Sequence, residues 1–452
     1  RGNAREALPL LAEQRASIDT GRRVDLALCA YLDAWASLCR GDVAAAERAG
    51  RTAAELSLET GSVASGLICH AALLAALEST GGHAEGEAVL QRMRALAAGV
   101  PAGVLRFHAA LCDAHMQVGR GDPGALDALR EAFAIGRRQG YLNSYFWWPP
   151  MMARLCAHAL ENGIEVDYAK RLIVTRGLAP EEGTAPAAWP WALEVRALGG
   201  FAVRAGGEPL AFSGKAQKKP LELLKALVAL GGRGVEWPRI AAILWPDATG
   251  DAAKVSFDST LYRLRKLLGT DAVLVLAEGK LSLDPRQCWV DVWQFERSVQ
   301  ELDARLAAAG GLADAAAIDA SRRLLDVYAG HFLGTDEEAA WSAAMRDRLR
   351  AKLIRAVTLL GRRLQDAGAW REAADLYSRG LEHDNLAEDL YRQLMICHRE
   401  LGESAQALEV YRRCKQLLSI VLSVAPSAET EAVRASFAAG ESVIRQSGRG
   451  GA

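Results

Sequence analysis

The apolar positions of the amino-terminal part of the chain recur at helical spacing. From about residue 4 to residue 176, Ala and Leu follow the ~3.6-residue helical period, and breaks interrupt them about every 40 residues. The breaks are Gly41-Asp42, Gly81-Gly82, Gly119-Arg120-Gly121 and Asn162-Gly163. Because one helical hairpin of this size cannot bury its own apolar face, the recurrence predicts stacked hairpins. Residues 1–176 are therefore predicted to form a TPR-like α-solenoid.

The pattern changes after a segment that has no period. Residues 177–190 contain three prolines and two glycines, which predicts a linker. Beyond it, short extended stretches give way to three helical patterns and then to two strands around a tight turn. The predicted strands are Leu193–Ala197, Phe201–Arg204, Pro209–Phe212, Val273–Leu276 and Lys280–Leu283, and the predicted helices are Gln217–Leu230, Pro238–Leu244 and Ala252–Leu268. This order predicts a winged helix-turn-helix domain over residues 191–290.

The last third of the chain is helical again and has a sharper repeat. Four positions recur after 34 residues, which is the tetratricopeptide period. They are Gly368, Ala373, Tyr377 and Gly380, followed by Gly402, Ala407, Tyr411 and Cys414. Residues 291–452 are predicted to be a second TPR-like domain. The predicted fold class is mainly α, with TPR-like helical repeats flanking a winged helix-turn-helix domain that carries small β-sheets.

Composition and charge narrow the classes of function. The chain has 452 residues with 54 basic and 55 acidic side chains, so its net charge is −1 and any site for a polyanion has to be local. Its eight cysteines are dispersed without a C-x-x-C pair, which favours the reducing cytoplasm. No run of about 18 uncharged apolar residues occurs, so we expect no contact with a membrane.

The third predicted helix of the middle domain has a basic, hydroxyl-bearing side. Its apolar stripe consists of Phe257, Leu261, Leu264 and Leu268. At ~100° per residue, the opposite side holds Val255, Ser256, Ser259, Tyr262, Arg263 and Lys266. Lys254 and Arg265 add positive charge, against Asp258 as the only acid of this segment. Such a helix fits the ~12 Å wide major groove, where Arg and Lys reach guanine. The same pattern is also typical of an ordinary solvated helix.

Basic side chains also occur outside this helix. Lys215, Lys218 and Lys219 lie at the start of the first helix, where backbone amides and the helix dipole favour a phosphate. Lys280 lies beside the tip of the final hairpin, where a wing meets the DNA backbone or minor groove. A solvated lysine cluster and a charged turn explain the same positions without DNA. The candidate DNA-binding residues are Lys215, Lys218, Lys219, Lys254, Ser256, Ser259, Tyr262, Arg263, Arg265, Lys266 and Lys280.

The sequence around the third helix resembles a known family. Leu244-Trp245-Pro246-Asp247 and the later run Leu261-Tyr262-Arg263-Leu264-Arg265-Lys266-Leu267-Leu268-Gly269 are similar to the OmpR-type winged helix of the Streptomyces antibiotic regulatory protein (SARP) group. The segment after it is similar to the bacterial transcriptional activator domain, through Leu394-Met395, Ala407-Leu408-Glu409-Val410-Tyr411 and Pro426-Ser427-Ala428-Glu429-Thr430. The resemblance covers residues 190–440 approximately.

The resemblance implies a sequence-specific regulator, and specifically an activator, that binds double-stranded DNA and contacts RNA polymerase. In OmpR-like proteins the loop corresponding to Trp245–Gly250 faces the polymerase. The amino-terminal repeats are similar to the superhelix of large maltose-regulator-like activators, whose family adds an upstream nucleotide-binding switch. Because the winged helix lies centrally and the chain opens with Arg1-Gly2-Asn3, the resemblance points to the carboxy-terminal half of a larger regulator. An effector or that upstream domain would then be a further partner.

No sequence pattern indicates catalysis. Ser213-Gly214-Lys215 would need Gly and Ser or Thr at the positions of Pro209 and Ala216 to be a phosphate-binding loop. The eight histidines include no H-E-x-x-H motif. We therefore predict no catalytic residue, no metal and no cofactor, and do not expect an enzyme.

Two alternatives stay open from the sequence. The aromatic cluster Tyr141, Tyr145, Phe146, Trp147 and Trp148 is interpreted as core between repeats or as a concave site for a ligand or partner. The whole chain is interpreted as a DNA-binding regulator or as a helical-repeat, protein-binding scaffold in which the winged helix is a contact module. Salt-dependent binding to duplex DNA distinguishes these two functions.

Overall fold

The protein consists of two compact units, one ending at Pro190 and the other beginning at Trp191. The structure is a computed structural model, and it describes residues 4–18, 21–99, 103–181, 185–210, 215–307, 314–334 and 340–447. Helices dominate both units, and the strands form small sheets in the second. The predicted fold class is confirmed.

The amino-terminal unit is a stack of antiparallel helical hairpins. Its helices are α1 (Ala4–Ser17), α2 (Arg23–Arg40), α3 (Val43–Glu59), α4 (Val63–Thr80), α5 (His83–Ala98), α6 (Gly103–Arg120), α7 (Ala125–Gln139), α8 (Pro149–Glu161) and α9 (Val166–Arg176). Helices α2 and α4 end at predicted breaks, where Gly41 and Gly81 adopt the left-handed conformation with φ of 79° and 77°. Glycine accepts this conformation at little cost, which fixes both helix ends.

Small residues let neighbouring helices of this unit approach closely. Gly50 on α3 faces α4, and a Cβ atom added to it would lie 3.0 Å from the Cα of Leu73. Ala46 and Ala53, on the same side of α3, are fully buried. These small residues therefore allow α3 and α4 to pack closely.

The aromatic segment between α7 and α8 packs largely into the unit. Phe146 is fully buried, and the Tyr31 hydroxyl and the Trp35 indole of α2 donate hydrogen bonds to the carbonyls of Tyr145 and Trp147, at 2.6 and 2.9 Å. The ring of Tyr145 itself is exposed. These contacts favour the core interpretation of the cluster.

Helix α4 bears on the sequence-based expectation about membranes. It is long and apolar enough to cross a membrane, the one such helix in the described ranges, because Glu78 is its only charged residue. Of its length, 67% is buried, including Leu67 and Leu74. Core helices of soluble proteins pass the same test.

The carboxy-terminal unit begins with two small sheets around three helices. Its first elements are β1 (Leu193–Arg196), β2 (Ala202–Ala205), β3 (Glu208–Pro209), α10 (Lys215–Ala229), β4 (Val235–Glu236), α11 (Trp237–Leu244), α12 (Gly250–Leu268), β5 (Leu274–Ala277), β6 (Lys280–Leu283) and β7 (Cys288–Val290). One sheet has the order β3-β2-β1-β7, in which β7 runs parallel to β1, and the other has the order β4-β6-β5. Part of the predicted strand Pro209–Phe212 lies outside the described residues. Strands β4 and β7 were not predicted.

The remaining elements form helical hairpins. They are α13 (Asp291–Ala307), α14 (Asp314–Val327), α15 (Ala343–Asp366), α16 (Trp370–His383), α17 (Glu388–Glu400), α18 (Ser404–Leu417), the π-helical turn Leu418–Leu422 and α19 (Ala428–Ser447). Helices α16 and α18 have first residues 34 positions apart and last residues 34 positions apart. The repeated Ala373 and Ala407 are both fully buried. The repeat in the sequence therefore corresponds to a repeated helix in the structure.

One hydrophobic core crosses the predicted boundary after residue 290. It extends from Leu193 on β1, through Phe257 on α12, to Leu418 after α18. The buried carboxylate of Asp291, the first residue of α13, accepts hydrogen bonds from the amides of Ala197 and Leu198 at 2.7 and 2.8 Å. The winged helix and the first helices after it are therefore packed as one body.

Candidate nucleic-acid interface

Helices α11 and α12 have the arrangement of a helix-turn-helix. Pro238 lies in the first turn of α11, where a proline costs no hydrogen bond, and Trp245-Pro246 ends this helix. Helix α12 starts after Thr249 and ends at Gly269, whose φ is 70°. Its predicted apolar stripe is buried: Phe257 and Leu264 are fully inaccessible, and Leu261 and Leu268 nearly so. Burial of this stripe determines which side of α12 faces away from the core.

The outward side of α12 carries a continuous stripe of exposed residues, which we call the outer stripe. It consists of Val255, Ser259, Tyr262 and Lys266. These residues have the spacing i, i+4, i+7 and i+11, as in the buried stripe, and each precedes its buried counterpart by two positions. Val255 is 67% and Tyr262 69% exposed. The outer stripe is therefore available along the whole length of the helix.

Arg263 borders the outer stripe and is not engaged with another element. Its guanidinium only folds back by one turn, donating to the carbonyl and the hydroxyl of Ser259, both at 3.3 Å. Ser256, on the same flank, is half-buried. An exposed arginine with only local hydrogen bonds can extend toward a ligand at little cost in free energy.

Lys254 and Arg265 lie on the other flank and are used within the fold. The ammonium of Lys254 contacts Asp258 at 2.5 Å and lies over the rings of Trp237 and Phe257. The guanidinium of Arg265 donates to the carbonyl of Leu274 on β5 at 2.9 Å. These two candidates therefore stabilise α12 and its attachment to the hairpin.

The three candidate lysines at the start of α10 are not equivalent. Lys218 is exposed and makes no ion pair with any residue that the structure describes. Lys219 donates to the carbonyl of Leu244 at 3.1 Å and pairs with Glu222 at 2.9 Å, so it connects α10 to the end of α11. Lys215 begins α10, but its side chain lies outside the described part of the structure.

The hairpin β5–β6 places Lys280 directly after its turn. Glu278 and Gly279 both adopt positive φ, of 50° and 74°, as a two-residue hairpin turn requires. The carbonyl of Gly279 accepts a hydrogen bond from the amide of Trp237 at 3.0 Å, which holds the tip against the start of α11. Lys280 is exposed and has no ion-pair partner within the described ranges. The hairpin is thus fixed against α11 at its tip, and the ammonium of Lys280 is exposed there.

Two buried carboxylates accept hydrogen bonds within the frame that carries these side chains. Burial raises the pKa of Asp291 to about 6, although three backbone amides donate hydrogen bonds to its carboxylate. Burial also acts to raise the pKa of Asp284, but hydrogen bonds from Arg286 outweigh it and leave that pKa below its usual value. Asp284 fixes the turn between β6 and β7 through its bonds to Arg286, whereas Asp291 joins the end of β7 to the amides of Ala197 and Leu198.

One exposed cation of the helix-turn-helix was not predicted from the sequence. Arg239 lies in the first turns of α11, is exposed, and makes no ion pair with a described residue. It could have been found by extending the search for basic residues from α12 to the helix before it. No group of His, Cys, Asp and Glu that could hold a metal ion occurs among the described residues.

The helices that follow the winged helix match a known family. Residues 290–437 match the model of the bacterial transcriptional activator domain. This activator domain begins at the end of β7, continues into α19, and includes the 34-residue repeat. The part of the predicted SARP resemblance that concerns this domain is confirmed.

The wider comparisons add a structural neighbour. The chain is similar to Mycobacterium tuberculosis EmbR, solved in complex with a low affinity phosphopeptide, with 23% sequence identity and a TM-score of 0.43. The match covers 55% of this chain and 66% of the EmbR chain. No curated protein sequence matches the chain.

The activator domain exposes an apolar segment after α18. Ile420, Val421 and Leu422 lie in the π-helical turn and are at least half exposed, and Val424 follows them. Ser423 between them has a left-handed φ of 56°. Clusters of exposed aliphatic side chains are typical of surfaces that contact other proteins.

Proposed function

We propose that the protein is a sequence-specific, double-stranded DNA-binding regulator of transcription that acts as an activator in the cytoplasm. The observation that carries this proposal is the outer stripe of α12. All four of its residues are exposed, Arg263 borders it, and it lies on the second helix of a helix-turn-helix. Second helices in this position enter the major groove of DNA.

The charges around α12 fit a duplex better than they fit a neutral partner. Lys266 and Arg263 lie on or beside the outer stripe, Lys218 lies on α10, and Lys280 lies at the wing. None of these four makes an ion pair with a described residue. On a chain whose net charge is −1, this local excess provides the attraction for a polyanion that the whole molecule lacks.

The alternative is the protein-binding scaffold, and one observation favours it. Val255 and Tyr262 are large exposed apolar side chains, which are also typical of protein interfaces. The scaffold interpretation requires the winged helix to bind a protein without binding DNA. Binding of duplex DNA that weakens steeply with salt contradicts it.

The first experiment separates base recognition from backbone contact. Arg263→Ala should weaken binding to the preferred duplex by ~1–3 kcal/mol and relax its sequence preference, as expected for loss of a bidentate contact to guanine. Lys218→Ala or Lys280→Ala should weaken specific and random duplexes alike, and reduce the log–log salt slope by roughly 0.9 per lost phosphate contact. Titrations of one specific and one random duplex at several salt concentrations measure both effects.

Arg265→Ala serves as the matched control, because Arg265 is on the same helix but its guanidinium bonds to Leu274. It should affect stability more than base preference. If Arg263→Ala changes neither affinity nor preference, α12 is not the recognition helix.

The activator role requires a contact with RNA polymerase, and we assign it to the loop between α11 and α12. Asp247 in this loop is exposed. Asp247→Ala should reduce transcription from a target promoter in a reconstituted assay while DNA affinity stays unchanged, because the side chain lies outside the outer stripe. A parallel loss of both would show that the loop acts only through DNA binding. We place regulation by an effector, or by an upstream nucleotide-binding domain, in the helical repeats.

A further inference from the structure

The outer stripe of α12 contains two apolar side chains that the fold does not use. Val255 and Tyr262 each expose about two thirds of their surface, 67% and 69%. Buried aliphatic and aromatic residues on the opposite side of the same helix form its contact with the core, so Val255 and Tyr262 do not contribute to core packing. Ser259 lies between them and Lys266 beyond them. The stripe therefore alternates apolar contact surface with groups that form hydrogen bonds.

The spacing of the two side chains matches the geometry of a DNA groove. Val255 and Tyr262 are seven residues apart, which is about 10.5 Å along the helix axis at ~1.5 Å per residue. Base pairs stack at ~3.4 Å. If the helix lies along the groove, the two side chains therefore face base pairs that are about three steps apart.

The chemistry of an apolar side chain in the major groove selects one base. The 5-methyl group of thymine is the apolar group that a base pair presents there, and it contacts apolar side chains. Water and phosphate are polar, so neither gives Val255 an apolar contact of this kind. Arg263 and Lys266, beside them, suit the acceptor atoms of guanine.

We propose that Val255 and Tyr262 read thymine methyl groups at two positions about three base pairs apart in the preferred duplex. This inference rests on the proposed DNA-binding function. It adds the class of base that the outer stripe selects, and it assigns specificity to apolar side chains as well as to Arg263.

The test compares thymine with deoxyuridine, which lacks only the 5-methyl group. The preferred duplex is first selected from a randomised pool with the full chain, and each of its thymines is then replaced singly by deoxyuridine. Wild-type protein should bind about fourfold more weakly at two of these positions, in line with the transfer free energy of one methyl-sized group. With Val255→Ala the penalty should vanish at one position, and with Tyr262→Ala at the other.

Both variants should keep the fold, because the two side chains are exposed and alanine favours a helix. Val174→Ala is the matched control, since Val174 on α9 is also 67% exposed but belongs to the amino-terminal unit. This variant should retain both deoxyuridine penalties.

The outcomes separate the inference from the function on which it rests. If no sequence is enriched and no salt-dependent duplex binding is found, the proposed function fails. If a sequence is enriched but no thymine position responds to deoxyuridine, the function stands and the inference is overturned. The inference is also overturned if both penalties persist in Val255→Ala and in Tyr262→Ala.

Discussion

Arg263 and Arg265 are two positions apart on α12 and have opposite surroundings. Residues two apart on a helix point about 200° away from each other, so they cannot share one ligand. Arg263 borders the exposed outer stripe, whereas Arg265 donates to the carbonyl of Leu274. Lys218 and Lys219 differ in the same way, because Lys219 is bound to the end of α11. Positive charge alone therefore does not identify a DNA contact.

Asp291 provides a prediction about pH. Its pKa is raised to about 6 in the folded chain, from an ordinary value of 3.8, because it is buried. Between these values the folded state binds more protons than the unfolded state, so this carboxylate lowers stability as pH rises. The unfolding free energy of wild type relative to Asp291→Asn should therefore fall by about 2 kcal/mol between pH 4 and pH 6, because the slope approaches ~1.36 kcal/mol per pH unit only between the two pKa values.

Chemical denaturation at a series of pH values measures this difference. Asp271→Asn, which removes one charge from a side chain that is 86% exposed, controls for the change in net charge. A wild-type-minus-Asp291→Asn difference that stays constant from pH 4 to pH 6 would show that the carboxylate is not desolvated in the folded state.

Helices α15 and α16 show how the repeats are held together. Gly361 on α15 lies directly against the ring of Tyr377 on α16, and a Cβ atom there would come within 2.2 Å of it. Tyr377 is fully buried. The close contact explains why an aromatic residue and a glycine occur together at this helix crossing.

Gly361→Ala should therefore destabilise the chain by ~1–3 kcal/mol through overpacking, although alanine is the better helix former. Thermal or denaturant unfolding measures the loss. Gly200→Ala is the matched control in the same unit, because nothing lies within 4 Å of its added Cβ atom. Equal stability of Gly361→Ala and wild type would mean that α15 and α16 pack less closely than described.

The carboxy-terminal unit behaves as one body in its packing. A cut after Val290 would remove Asp291, which binds the amides of Ala197 and Leu198, and Trp293, whose indole donates to the carbonyl of Gly231 at 3.0 Å. It would also expose the core side of β1 and β7. Contacts with the activator domain thus stabilise the winged helix.

We therefore expect residues 191–452 to unfold in one cooperative transition. We expect that residues 191–290 alone show no cooperative unfolding transition. Calorimetry and limited proteolysis of the two fragments test this expectation. Two separate transitions in the longer fragment, or a stable shorter fragment, would show that the winged helix and the activator domain are independent.

Much of this architecture is encoded locally. The helical period, the breaks after Arg40 and Thr80, the 34-residue repeat and the apolar stripe of α12 follow from neighbouring residues, so they can be read without the fold. Strands β4 and β7 could not be predicted from the sequence. They have only two or three residues, which show no period, and they pair with segments that are distant in the chain. Folding also decides which of the basic side chains are free to bind a ligand. Lys219, Lys254 and Arg265 contact side chains or carbonyls that the fold brings near. Lys218, Arg263 and Lys280 have no such partner on another element among the described residues. A local pattern specifies which side of a helix is apolar, but long-range packing decides which of its charges remain free.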